Sequence, residues 1–481
     1  MNPTELTFGE APPQSVGTPG QPAAVFPSTT DREGIHRIGR WFLVCLAIFE
    51  VSSALFLASI NPVRGYDENW YLINSHRLQG ITALPYADFR PPMLPTLLAL
   101  LGSSYWLAPG LAHIGSSVLV FLILRRLVTP NFALGGTIVF LACAEMRLYN
   151  VFLLTEMPAI FFLLLAVYAF VVQRPCLLGA AAAFAFMTHW SMAAILPLPA
   201  VMYARRRRWG DAGWFVAGAA LAAAPFLTGL GLAHGNPLGP FTIQLRAQRT
   251  GANDWSYYLR EFPQLPVVLV VGGLVAARWL WRNRAHPEAK SLYEPCLFLL
   301  GIVCMRVAVL HVVTAKDPRY LAPLFPVLLL LSVVMLWHYG KGLRLIQWGA
   351  WTILLVSMMP FRSFYWQVHR FAADPTHQIA KLKGDITATD PRELIYTDFN
   401  DLAVMGQTGR RAIPVTGVDS WHHKPFDARD PVPRSEIPIG ALYLTWNPGP
   451  AEIIARSEHA RNRPLWLVRW KGEEPCRVAR P

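Results

Sequence analysis

Apolar runs repeat along the chain from residue 41 to 360, and polar residues lie mainly in the short segments between them. Each run is about 15–22 residues long, the length with which an α-helix crosses a bilayer. This pattern predicts a polytopic, all-α membrane protein with about eleven transmembrane helices and additional juxtamembrane helices. The predicted spans are 41–60, 109–124, 132–148, 157–172, 176–188, 191–204, 212–231, 264–281, 292–313, 321–338 and 344–360.

The two ends of the chain have a different character. Residues 1–38 are rich in Pro, Gly, Ser and Thr and have few large apolar side chains, which predicts a disordered tail. After the membrane domain, 39–360, helical and strand periodicities alternate. We interpret "HQIAKLKGDI" and "PAEIIARSEHA" as helices, and "ELIYTDF", "ALYLTW" and "PLWLVRW" as strands. Residues 361–481 are therefore predicted to form a small α/β domain.

The basic residues indicate which loops face the cytoplasm. The net charge is +13, yet only 15% of residues are charged and the cations cluster in short loops, so we expect no nucleic-acid partner. The clusters are Arg125 and Arg126, Arg174, 205–208, 282–290 and 341–344. The positive-inside rule then places the N-terminus in the cytoplasm and puts 61–92, 232–263 and the C-terminal domain outside.

Two segments could alter this topology. The run 91–109 is short and flanked by prolines, so we predict an interfacial or re-entrant helix on the outer side. Residues 176–204 fit either two short passes or one tilted span. The arginines at both ends favour a hairpin with "THW" (188–190) at its tip, where His189 is interpreted as an interfacial residue.

The first predicted outer loop, 61–92, carries candidate chemistry. Its segment "RGYDENWYLINSHRLQG" places Asp67 and Glu68 beside Tyr71, and "PYADFRPP" adds Asp88 and Arg90 before two stiffening prolines. A solvated polar loop is the simpler explanation of these acids. The density of acids, aromatics and a cation beside an apolar helix favours a site.

Two further outer segments add charges on the same predicted face. Glu156 begins an apolar run, where it could simply favour the helix dipole beside a capping Thr155. "AKDPRYLAPLFPVLLLL" contains Lys316, Arg319 and Tyr320, where a snorkelling basic pair is the alternative. Carboxylates and cations together at bilayer depth suit transfer from a lipid phosphate, since a carboxylate accepts the proton of an acceptor hydroxyl and cations stabilise the departing phosphate.

The sequence contains no GxGxxG, Walker, HExxH or GxSxG motif, and its six cysteines show no CxxC or paired spacing. We interpret the cysteines as packing residues and assign no residue as a metal ligand. No cofactor is assigned, and a divalent cation is left as an option.

The order of "YDENWY", "LPYADFRPPMLP", "LTEMPAIFFLLLA" and "KDPRYLAPLFPVLLLL" resembles the GT-C superfamily of membrane glycosyltransferases over residues 41 to about 340. It is most like the branch with protein O-mannosyltransferases, lipid A aminoarabinose transferase and rhizobial galacturonosyltransferases. The resemblance implies a bacterial inner-membrane enzyme that takes a sugar from a polyprenyl-phosphate donor with inversion. The acceptor would be a glycan, lipid or protein on the periplasmic or exterior side.

The resemblance also implies roles for particular residues. Asp67 would be the general base, with Glu68 and Glu156 supporting the catalytic site, while Lys316, Arg319 and Tyr320 would contact the lipid phosphate. Arg90, Asp88 and Tyr71 are further substrate-binding candidates, although many relatives have His or Lys where this chain has Arg90. The alternatives are a transporter or flippase of a lipid-linked substrate, or a non-enzymatic membrane scaffold.

Overall fold

The computed structural model describes residues 39–52, 66–81, 90–150, 152–247, 257, 267–285, 291–312, 318–340, 344–357, 377–398, 401–415, 432–446, 451–457 and 464–471. The predictions for the tail 1–38, for Asp88 and for Lys316 lie outside the described residues.

Apolar helices make up most of the described chain before residue 358. They are α1 (39–52), α2 (Tyr66–Leu78), α3 (Met93–Leu101), α4 (Ala108–Leu127), α5 (Pro130–Ala142), α6 (Ala144–Tyr149), α7 (Glu156–Val171), α8 (Pro175–Thr188), α9 (Pro197–Arg205), α10 (Trp209–His234), α11 (Gly239–Ala247), α12 (Val267–Arg282), α13 (Tyr293–Val312), α14 (Leu324–Tyr339) and α15 (Arg344–Ser357). Several begin with proline in their first turn, where the missing N–H costs no helical hydrogen bond.

Three helical stretches in the described residues are long and apolar enough to cross a membrane: Met93–Leu127, Trp209–Leu232 and Tyr293–Val312. The shorter apolar helices include Pro175–Thr188, which is about 21 Å long at 1.5 Å per residue and falls short of a hydrocarbon core of about 30 Å. The architecture of apolar helices is therefore as predicted. The count of eleven spans stays a prediction.

One local prediction for the first outer segment was wrong. The acids predicted in a loop lie instead in the first turn of α2, where negative charge is favoured by the helix dipole. Within the run 91–109, α3 is a short helix that the 3₁₀ turn Gly102–Leu107 connects to α4, and its interfacial or re-entrant position stays a prediction. The sequence did not reveal α2 because its apolar residues are distributed around the helix, with buried contacts on more than one side.

The chain doubles back over residues 176–204, as the hairpin prediction requires. Arg208 Nη1 donates a hydrogen bond to Gln173 Oε1 at 2.8 Å, so the residues before α8 and after α9 lie side by side. His189 lies at the turn between the two arms. That each arm crosses the bilayer stays a prediction.

Glycines allow α8 to pack closely on α10. A Cβ at Gly179 would lie 1.9 Å from the Phe215 carbonyl oxygen, and one at Gly218 would lie 2.0 Å from that of Cys176. Small residues at such positions let helix backbones approach, which is the usual way in which membrane helices gain packing contacts.

The helices have two chemically different ends. At the start of α13, Glu294 pairs with Arg206 of the arginine-rich segment after α9. Arg306 lies twelve residues further along α13, about 18 Å away at 1.5 Å per residue, and contacts Ser191. The arginine-rich segment 205–208 and the segment around Ser191 therefore lie at opposite ends of α13.

The C-terminal segment contains α16 (His377–Ala388), α17 (Asp401–Thr408) and strands β1 (Ile395–Thr397), β2 (Ala412–Pro414), β3 (Leu442–Thr445), β4 (Glu452–Arg456) and β5 (Trp466–Arg469). The sheet order is β2-β1-β3-β5-β4, with β2, β1 and β3 parallel and the other neighbours antiparallel. The helix predicted within "PAEIIARSEHA" is wrong, because its centre forms β4. Ala, Glu and Arg favour a helix locally, but pairing with β5 overrides that propensity.

Candidate functional site

Asp67 lies in the first turn of α2 and binds two arginines from distant parts of the chain. Arg90 Nη2 donates to Asp67 Oδ1, and Arg319 Nη2 donates to Asp67 Oδ2 at 2.6 Å. Arg90 is held just before Pro91, Pro92 and α3, and Arg319 lies in the 3₁₀ turn Pro318–Leu321 before α14. Charge-assisted hydrogen bonds of this kind are stronger than neutral ones.

Glu156, the first residue of α7, brings a second carboxylate to Arg319. Its Oε1 lies 3.6 Å from Arg319 Nε, and the side chain is 2% exposed. Thr155 occupies the N-cap position but makes no side-chain capping hydrogen bond, so the capping role suggested for Thr155 was wrong, whereas Glu156 does lie in the first turn, where the helix dipole favours its charge. Arg319 therefore lies between two carboxylates that are 89 residues apart in sequence.

His189 also lines this cavity, and its interpretation as an interfacial residue stays a prediction. It lines the same cavity as Asp67 and Arg319, and its ring centroid is 5.7 Å from that of Tyr320. Its Nδ1 accepts hydrogen bonds from the Ser191 backbone N–H at 3.4 Å and from the Ser191 hydroxyl at 2.7 Å. With Nδ1 accepting, the ring proton is on Nε2, which is the nitrogen left to donate to a ligand.

Arg306 connects the hairpin turn with the segment that carries Arg319. It is fully buried; its Nη1 donates to Ser191 Oγ, and its Nη2 donates to the Tyr320 carbonyl oxygen at 2.7 Å. Arg306 was not among the predicted site residues, although an arginine inside the apolar run "GIVCMRVAVL" is itself a signal of function in a membrane helix.

These residues line one partly open cavity. Its lining consists of Asp67, Tyr71, Arg90, Pro91, Thr155, Glu156, His189, Trp190, Ser191, Arg319 and Tyr320. Arg90 lies 5.7 Å from the centre of the Tyr71 ring, and Arg319 lies 5.5 Å from that of Tyr320. The structure thus brings six predicted site residues into one cavity, while Glu68 is buried on α2 beside it and is not part of the lining.

The two adjacent acids of α2 have opposite electrostatic environments. Burial alone would raise the pKa of Asp67, but the charges and hydrogen bonds of Arg90 and Arg319 lower it to about 2. Burial and the neighbouring Asp67 charge raise the pKa of Glu68 to about 7. Burial, together with the charges of Arg306 and Arg319, lowers the pKa of His189 to about 3, so this imidazole is neutral near pH 7.

The charged side chains of the cavity lining are two carboxylates, Asp67 and Glu156, and two guanidinium groups, Arg90 and Arg319. Among the described residues, no three His, Cys, Asp or Glu side chains converge on a point where a metal ion could bind. Asp67 and Glu156 both face Arg319, whose guanidinium supplies the positive charge between them. The option of a divalent cation stays a prediction.

Solved structures with similar architecture identify the fold. ArnT from Cupriavidus metallidurans bound to undecaprenyl phosphate aligns with a TM-score of 0.64 at 14% identity, over 89% of this chain and 98% of that one. The apo form of the same protein aligns with a TM-score of 0.62 at 15% identity and the same coverage of both chains. The chain has the GT-C fold.

A second GT-C protein extends the comparison. The Archaeoglobus fulgidus oligosaccharyltransferase in complex with Zn and sulfate aligns with a TM-score of 0.51 at 13% identity, over 76% of this chain and 62% of that one. No protein-family profile matches the chain, and no curated protein sequence does. At 89% of the chain, the alignment to ArnT also includes residues after 360, whereas the resemblance in sequence ends near residue 340.

Proposed function

We propose that the protein is an inverting glycosyltransferase that moves a sugar from a polyprenyl-phosphate donor to an acceptor hydroxyl. The observation that carries this proposal is the position of Arg319 between Asp67 and Glu156 at one cavity of a GT-C fold. The likeness to a protein solved with undecaprenyl phosphate supports a lipid-linked donor.

The phosphate of the donor would bind to the arginines. Arg319 and Arg90 present planar N–H donors, which suit the oxygens of a phosphate. Lys316, outside the described residues, would add a further cation three residues before Arg319, and Tyr320 would border the same place. As the bond between sugar and phosphate breaks, these groups stabilise the negative charge that develops on the leaving lipid phosphate.

Asp67 would act as the general base once the phosphate takes over part of its arginine contacts. With both carboxylate oxygens bound to guanidinium groups, its low pKa makes it a weak base. A donor phosphate competes for the same N–H groups, which weakens the pairing and raises the basicity of Asp67 at the time when the donor is in place. Donor binding and base activation are coupled in this way.

The reaction itself requires one bond to form and one to break. The acceptor oxygen attacks the anomeric carbon from the face opposite the phosphate, and its proton passes to the Asp67 carboxylate. The lipid phosphate leaves with the bonding electron pair, and the anomeric configuration inverts. A positioned base of this kind contributes roughly 10²–10⁴ in rate. Glu156 holds Arg319 in place, and His189 Nε2–H is a donor for a sugar or phosphate oxygen.

We place this cavity on the periplasmic or exterior face of a bacterial inner membrane. The opposite ends of the helices carry the arginine-rich loops that the positive-inside rule assigns to the cytoplasm. The acceptor would be a glycan, a lipid or a protein on the outer face, next to the C-terminal domain 361–481.

Binding of undecaprenyl phosphate to the purified protein in detergent tests the phosphate assignment, with undecaprenol as the ligand that lacks the phosphate. We expect undecaprenyl phosphate to bind and undecaprenol not to compete. Arg319→Ala should weaken binding of undecaprenyl phosphate at least tenfold. Arg126→Ala removes an exposed arginine in the last turn of α4 and should leave binding unchanged. Equal binding of both lipids, or equal affinity of both variants, contradicts the proposal.

A second experiment tests transfer directly. Lipid extracts of cells that produce Asp67→Asn should accumulate a polyprenyl-phosphate sugar that cells with the unchanged protein consume. A transporter or flippase would leave the sugar attached to its lipid in both cases. Identical lipid profiles and identical surface glycans would end the glycosyltransferase proposal.

A further inference from the structure

Helix α2, which carries Asp67, is held between two separate apolar clusters. On one side, Trp70 and Ile73 pack in a cluster with C-terminal residues that include Leu382 of α16 and Val404 of α17. On another side, Tyr71 and Leu72 pack in a cluster with helices of the membrane part. Because a short helix moves as a unit, a displacement on the C-terminal side is transmitted to Asp67.

Gly406 of α17 lies close to the backbone of α2. A Cβ built on Gly406 would lie 2.9 Å from Asn69 Oδ1, 3.0 Å from Asn69 Cα and 3.1 Å from the Asn69 carbonyl oxygen. Two of these three atoms belong to the backbone of α2, so a side-chain rotation cannot relieve the contact. A methyl group at this position therefore requires α2 or α17 to give way by a few tenths of an ångström.

A hydrogen bond between His76 and Gly406 also joins α2 to α17. His76 Nε2 lies 3.0 Å from the Gly406 carbonyl oxygen and donates to it. Burial lowers the pKa of His76, while this hydrogen bond acts in the opposite direction. Asn69 and His76 are seven residues apart, which is two helical turns, so both contacts lie on one face of α2.

We propose that the C-terminal segment positions the general base, with Gly406 and His76 as positioning residues that set the place of Asp67 relative to Arg319. The inference rests on the proposed function and adds to it a requirement for the C-terminal segment in catalysis. Misplacement of a reacting group by about 1 Å can cost roughly a hundredfold in rate, even when the change is far from the chemistry.

The test compares two glycine variants of the full-length protein. Gly406→Ala should lower the initial rate of sugar transfer in isolated membranes about tenfold, because α2 must shift by several tenths of an ångström. Gly384→Ala is the matched control: Gly384 lies within α16 and a Cβ there meets no atom within 4 Å. We expect this variant to keep the wild-type rate.

Binding of undecaprenyl phosphate and thermal stability, measured on the same purified variants, separate positioning from simple damage to the fold. Arg319 lies on another element, so Gly406→Ala should bind the lipid within threefold of wild type and keep a similar melting temperature. His76→Gln, which retains a donor for the Gly406 carbonyl, should keep most of the rate, whereas His76→Phe should lose it.

The outcomes distinguish this inference from the proposed function. If the unchanged protein binds the lipid but transfers no sugar, the proposed function fails. If the unchanged protein transfers sugar and Gly406→Ala equals Gly384→Ala, the positioning role is wrong. A parallel loss of rate, lipid binding and melting temperature in both Gly406→Ala and His76→Phe also overturns it, because that result indicates a general structural role.

Discussion

The carboxylate of Asp67 and the guanidinium of Arg319 lie 2.6 Å apart although 252 residues separate them in the sequence. Asp67 lies in the first turn of α2 and Arg319 precedes α14, so their contact depends on how these separate helices are arranged. Under the proposed function the pair would join a proton acceptor to a phosphate-binding cation, the combination that transfer from a lipid phosphate requires.

Removing the charge of Asp67 should abolish most of the transfer rate. Asp67→Asn keeps the size of the side chain but leaves an amide that accepts no proton, so we expect a loss of about 10²–10⁴ in initial rate, measured as sugar transfer in isolated membranes. Asp211→Asn is the control, since Asp211 pairs with Arg208 near the opposite end of the bundle. A rate within threefold of wild type for Asp67→Asn would remove Asp67 as the base.

Glu68 should make stability depend on pH in a direction opposite to that of a paired carboxylate. Its pKa rises from 4.5 to about 7 on folding, so the neutral form is the favoured one in the folded protein. The preference of the folded protein for neutral Glu68 adds to the free energy of unfolding below pH 4.5. This contribution is lost as the pH rises through about 7. Glu68→Gln mimics the neutral form and should therefore stabilise the protein more at pH 8 than at pH 5, by about 3 kcal/mol at most.

Thermal unfolding in detergent at pH 5 and pH 8 measures this difference. A melting temperature of Glu68→Gln that exceeds wild type only at pH 8 supports the assignment. An equal shift at both values of pH would mean that Glu68 does not titrate in this range.

His189 should act as a neutral hydrogen-bond donor. His189→Gln places an amide N–H near the position of Nε2 and should keep the transfer rate within about tenfold, while His189→Ala should lose more, since one charge-assisted hydrogen bond is worth about 1.5–3 kcal/mol. Because the pKa of His189 is lowered to about 3, its titration should not contribute to the rate profile between pH 5 and 8. Equal rates for the two variants, or a step near pH 6.5 that His189→Gln removes, would contradict this role.

Helix packing at Gly179 should be sensitive to a single methyl group. Gly179→Ala places a Cβ against the Phe215 carbonyl oxygen and should lower the melting temperature in detergent by several degrees, because the clash is with backbone that cannot rotate away. Gly213→Ala, in α10 with no atom within 4 Å of the new Cβ, should leave it unchanged or raise it. Equal melting temperatures for the two variants would show that α8 and α10 are not packed in this way.

The predicted helices of the membrane part agree well with the structure in several places. Apolar runs predicted at 157–172 and 292–313 correspond to Glu156–Val171 and Tyr293–Val312. Such boundaries are local, because they occur where the apolar residues end and prolines or charges begin. The α2 helix and the strand β4 escaped prediction because their faces are decided by neighbours that are distant in sequence.

The candidate site was predictable only as a set of residue types. The sequence indicated Asp67, Glu156 and Arg319 as charges placed at the ends of apolar runs, where their burial needs a reason. It did not indicate Arg306, or that His189 lines the cavity. Arg306 binds Ser191 and the Tyr320 carbonyl oxygen, and Ser191 in turn binds His189, so these contacts join segments that are distant in the sequence.

The sequence by itself determined that this chain builds a series of apolar helices with most of its charges near their ends, because both properties follow from the spacing of apolar residues along a few helical turns. Only the tertiary structure decided that Asp67 pairs with Arg90 and Arg319, and that α2 lies against Gly406. These relationships join residues from separate elements, and their distances are set by how helix backbones pack, which no local pattern specifies.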